Sequence, residues 1–69
     1  RHDLAEFLYH DLDPIDQVIL ERSLGLRGVP AAPQKEIAAR LGISAPAVTQ
    51  RARRIQAQLD ELERAGMFW

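Results

Sequence analysis

Apolar positions recur at helical rather than strand spacing along most of this chain. Leu4, Phe7, Leu8 and Leu12 fall three and four residues apart, which predicts a first short helix over about 2–10. Asp13-Pro14 reads as a helix start, because the carboxylate can accept from first-turn amides and proline fits the first helical position without losing a bond. A second helix then runs over about 14–24, with Ile15, Val18, Ile19 and Arg22 on one side and Asp16, Gln17 and Glu21 largely on the other. Two glycines and two prolines between Gly25 and Pro33 mark a loop. A third helix over about 33–41 carries Ile37, Ala38 and Leu41 and stops at Gly42, a residue that accepts the left-handed geometry of a helix end. Ser44 is placed to cap a long fourth helix over about 45–65, in which Val48, Ala52, Ile55, Leu59 and Leu62 form a continuous stripe. No strand pattern and no repeat is visible. The expected fold is all-α: a small four-helix domain containing a helix-turn-helix, with Ile15, Val18, Ile19, Ile37, Leu41, Val48, Ala52 and Ile55 sharing one core.

Sixty-nine residues suffice for one domain, and a start at Arg1 instead of Met suggests a fragment of a longer protein. With no cysteine and only His2 and His10, eight apart, neither a disulfide nor a structural metal is expected, and no cofactor. Apolar runs such as Val18-Ile19-Leu20 are too short to span a bilayer, so a cytoplasmic protein without membrane association is expected. The net charge of -1 conceals a segregation. Residues 33–55 hold Lys35, Arg40, Arg51, Arg53 and Arg54 against Glu36 alone, while acidic residues prevail on both flanks.

That basic block coincides with the most specific pattern in the chain, residues 34–53. There Ala38 is small where two helices would cross, Gly42 makes the turn, and Ile37, Leu41, Ile43 and Val48 fill the wedge between them. With Val48 set inward and about 100° per residue, Pro46, Gln50 and Arg53 point outward, Thr49 and Arg54 flank them, and Ala45 and Ala47 lie at the margins. Small residues there permit close approach to a duplex, and the planar groups of Gln50 and Arg53 can pair with adenine and guanine edges. Gln34 and Lys35 begin the preceding helix, where the sugar-phosphate backbone would be touched. Arg51 turns toward the core side as a packing or phosphate residue. The expected DNA-binding set is therefore Gln34, Lys35, Ser44, Ala45, Pro46, Thr49, Gln50, Arg53 and Arg54. No nucleophile with a base, no ligand set and no phosphate-cradling loop suggests an enzyme.

The run from Leu12 to Arg22, together with Glu36 to Ser44 and Val48 to Ala52, resembles region 4 of the bacterial sigma-70 family, a likeness covering about 12–59. The resemblance implies recognition of a promoter element by Thr49, Gln50 and Arg53, a capping role for Ser44, and docking on RNA polymerase. Pro33 stands where that family usually caps with Thr or Ser, and Ala45-Pro46-Ala47 replaces residues usually charged. The looser motif also resembles LuxR-class output domains, phage repressors and the DNA-binding ends of viral packaging proteins. Sequence-specific duplex binding in transcription is the leading expectation; a protein-interaction module docking on RNA polymerase or another regulator is the alternative. A homodimer through Leu59 and Leu62, or burial of both within the monomer, remain equal options. The tail Met67-Phe68-Trp69 is either core or partner surface.

Overall fold

The computed structural model describes residues 2–25 and 28–66; the Met67-Phe68-Trp69 tail lies outside them. Four helices follow one another: α1 His2–Tyr9, α2 Pro14–Leu24, α3 Gln34–Leu41 and α4 Ala45–Arg64. Among the described residues there is no strand, and no helix is long and apolar enough to cross a membrane.

Each helix start and stop has a local cause. The Asp13 side chain accepts from the Asp16 amide at 2.9 Å and Pro14 follows it, so α2 begins with one free amide satisfied and one removed. Gly25 closes α2 in the left-handed region at φ 68°. The loop beyond is tied back where the Ala32 amide donates to the Arg22 carbonyl at 2.9 Å. Pro33 occupies the cap position of α3 without a side-chain hydrogen bond, so the helix begins at Gln34, one residue later than the expected start at about 33. Gly42, at φ 68°, ends α3, and its amide and that of Ile43 both donate to the Ala38 carbonyl. Ser44 then caps α4, accepting from the Ala47 amide at 3.2 Å. Three residues thus separate two helices.

Helix α4 packs against all three others and is the spine of the domain. Its buried residues Val48, Ile55 and Leu59 meet Ile37 and Ala38 from α3, Ile19 and Leu20 from α2, and Leu4, Ala5 and Leu8 from α1. Ile15, Leu41, Ile43, Ala52 and Leu62 are half-buried around this cluster. Further tethers join α1 to α2, the Gln17 side-chain amide donating to the Tyr9 carbonyl at 3.0 Å.

Two expectations are corrected and one open alternative is decided in part. Val18 is half-buried and outside the core cluster, its place taken by Leu20. The expected side of α2 is 15-18-19-22; the helix instead turns Ile19 and Leu20 fully inward with Asp16 beside them. Asp16 therefore lies on the inner side, its side chain 14% exposed, because Arg51 of α4 awaits it there. On α1 the buried stripe is Leu4, Ala5 and Leu8, and Phe7 remains 47% exposed. Of the two options for Leu59 and Leu62, burial within the monomer holds for Leu59, 2% exposed, while Leu62 is half-buried against the same core.

Candidate nucleic-acid interface

The surface singled out by the sequence is assembled from the start of α3 and the first half of α4. Ala45, Pro46, Gln50, Arg53 and Arg54 are all exposed on α4, while Val48 opposite them is fully buried. One face of α4 is therefore committed to the core and the other is open to a partner, as the helical wheel requires. Ser44 is exposed and its hydroxyl is engaged in capping, so its part is to start the helix and aim it.

Gln34 and Lys35 are exposed at the first turn of α3. With no side-chain cap at Pro33, the Gln34 and Lys35 amides keep no described partner while the Glu36 amide donates to the Pro33 carbonyl. The positive end of α3 therefore lies beside Lys35 and is offset in part by Glu36. The two helices are joined on this side. Thr49 Oγ1 lies 2.5 Å from Gln34 Oε1 and 3.1 Å from the Ala45 carbonyl, so one hydroxyl proton is directed at two acceptors. When the hydroxyl donates to Oε1, the Gln34 Nε2 donors are left for an acceptor outside the chain. Thr49 is accordingly half-buried, and it serves as a strut between helices more than as an open contact.

Electrostatically the basic block divides. Among the described residues Lys35, Arg40, Arg53 and Arg54 are exposed and make no ion pair. Arg51 differs: its Nη1 donates to Asp16 Oδ1 at 3.0 Å and lies 3.6 Å from Asp13 Oδ2. The Asp16 hydrogen bond, opposed by partial desolvation and reinforced by the charges of Asp16 and Asp13, pushes the guanidinium pKa still higher. Arg51 is thus a packing residue whose charge is matched inside the chain by Asp16 and Asp13.

This Asp13–Asp16–Arg51 clamp escaped the sequence reading. Its signals were present, an acid at the cap and at the third position of α2 and an arginine on the inward side of α4, but nothing local paired residues 35 apart. The Gln34–Thr49 contact has the same origin. No family model matches the chain, and none of the curated proteins or solved structures compared with it does either.

Proposed function

We propose that α3, the turn at Gly42 and α4 form a helix-turn-helix that binds duplex DNA, with α4 lying in the major groove. The observation that carries this reading is the open face of α4, where Gln50, Arg53 and Arg54 stand exposed opposite a fully buried Val48, next to the uncapped start of α3 with Gln34 and Lys35. In that arrangement Gln50 and Arg53, about one helical turn apart, meet base edges as paired donors and acceptors. Ala45 and Pro46, lacking long side chains, let the helix start sit close to the groove floor. Lys35, the α3 amides and the Gln34 amide group hold the phosphates and fix the register. A place in transcription, of the kind the sigma region 4 resemblance implies, belongs to this proposal.

Among the described residues, four exposed cations that make no ion pair set the scale. If Lys35, Arg40, Arg53 and Arg54 each displaced a counterion, the slope of log K against log salt would reach about -3.6, so affinity would fall roughly a hundredfold between about 50 and 200 mM salt. Fluorescence anisotropy with a labelled duplex at those two concentrations measures it. No binding at the lower concentration would refute the reading.

One observation favours the alternative of a protein-interaction module. The clamp on Arg51 removes a cation from the basic block, and with it part of the attraction to a polyanion. Failure to bind DNA would shift the assignment to that class, with RNA polymerase or another regulator as the partner.

A further inference from the structure

Beside the proposed DNA face, α2 and α4 leave a groove of about 320 Å³. Its floor is Leu20, Ile55 and Leu59, each at most 4% exposed, its accessible apolar wall is the half-buried Leu24 and Ala52, and Arg53 and Gln34 stand at its polar edge. No aspartate or glutamate lines it, and Arg53 is its one cation. The combination is asymmetric: an apolar floor, uncharged polar side chains of Ser23, Gln34 and Gln56 at the rim, and a single exposed guanidinium that makes no ion pair among the described residues.

We propose that this groove binds an amphipathic carboxylate, its hydrocarbon body along the apolar wall and its anionic head on Arg53. Charge complementarity selects the head, since a cationic amphiphile would meet Arg53 and a neutral one would leave it unused. Volume selects the body. The groove lies near the lower end of the roughly 300–1,000 Å³ spanned by small-molecule sites. At the roughly 30 Å³ a water occupies in the liquid, it holds about ten carbon-sized groups. That is too little for the apolar face of a partner helix and fits a medium-length alkyl or aryl acid. Apolar burial supplies the attraction and the guanidinium supplies orientation.

The consequence for DNA rests on the reading given above. A carboxylate on Arg53 would occupy a donor assigned to a base edge and set a negative charge beside the phosphates. Ligand and duplex would therefore bind antagonistically, each weakening the other by the same factor.

The test titrates decanoate, below its micelle concentration, into the labelled protein and follows amide chemical shifts, with decylammonium as the charge-reversed probe. The expected result is saturable shifts at Leu24, Ala52, Arg53 and Gln56, with decylammonium at least threefold weaker. Arg53→Gln should weaken decanoate about threefold, the scale of a solvent-exposed ion pair. Ser23→Phe, at an exposed position of α2 that lines the groove, should fill it and abolish decanoate binding while the circular dichroism spectrum stays helical. Equal affinity for the two head groups, shifts confined to other surfaces, or unchanged binding by Ser23→Phe would overturn the proposal. So would sedimentation showing that a second copy of the chain already occupies the groove. A parallel anisotropy titration keeps the two readings apart. Decanoate binding without any DNA binding would refute the DNA reading and leave the groove standing. DNA binding by a protein indifferent to decanoate would do the reverse.

Discussion

Replacing Gly42 tests the turn on which the candidate interface depends. Gly42 sits at φ 68° and ψ 30°, a left-handed conformation that costs an L-residue with a Cβ roughly 1–2 kcal/mol. Space is not the obstacle: a Cβ built there meets nothing within 4 Å. The penalty for Gly42→Ala is therefore conformational strain alone, and about 1 kcal/mol is the expected net loss of stability. At roughly 2.1 cal/mol/K of unfolding entropy per residue, a chain of this length loses about 7 °C in Tm for each kcal/mol. Gly42→Asn should cost less, because asparagine tolerates the left-handed region, and Gly42→Val more, because β-branching narrows the backbone further. Thermal unfolding followed by circular dichroism ranks all three. A Tm unchanged in Gly42→Ala, or Gly42→Asn falling below Gly42→Val, would refute the claim that positive φ is what glycine supplies here.

The other predictions concern reading, attraction and core. Arg53→Ala should relax preference at one base-pair position and cost about 1–3 kcal/mol on the best site, whereas Lys35→Ala should weaken all sequences alike; selection of DNA sites from a random pool compares the two. Identical preferences for the parent and Arg53→Ala would mean that this arginine only holds phosphate. Because Arg51 is matched by Asp13 and Asp16, Arg51→Gln should change the salt slope of DNA binding less than Arg54→Gln does, as anisotropy at several salt concentrations would reveal. Leu59→Ala, at a site 2% exposed, should cost about 2–5 kcal/mol, a large part of what so small a domain has; urea unfolding gives the value, and a loss under 1 kcal/mol would contradict its central place in the core.

Helix limits were legible because each is written locally. Asp13 before Pro14, Gly25, Gly42 and Ser44 act within a few residues of themselves, and the structure uses all four as caps. The open face of α4 was legible for a similar reason: its inward stripe is unambiguous, so the outward residues follow by rotation. Helix α2 was not, since Ile15, Val18, Ile19 and Leu20 point to nearly every side and its phase had to come from outside. Counting hydrophobics favours the stripe with Ile15 and Val18. The fold instead turns Asp16 inward, because a carboxylate can be half-sequestered where an arginine from a distant helix satisfies it. Arg51 was placed correctly on the inward side of α4, but only the tertiary fold supplies its partners. Phe7 illustrates the opposite limit: it lies on the stripe that spacing picks out for α1, and Ala5 takes the inner place instead.

The clamp at Arg51 also sets an angular constraint. By bonding Arg51 to the beginning of α2, the protein fixes the rotation of α4 about its own axis at a point between Gln50 and Arg53. The outward side chains can then be exchanged without disturbing that setting, since no described hydrogen bond or ion pair of the core passes through Gln50, Arg53 or Arg54. A residue inserted between Arg51 and Arg53 would behave differently. It would turn everything beyond it by about 100° relative to the anchored part, and either Arg53 or the Ile55–Leu59 stripe would end up on the wrong side. Such a helix tolerates a change of letters on its outer face far better than a change of length.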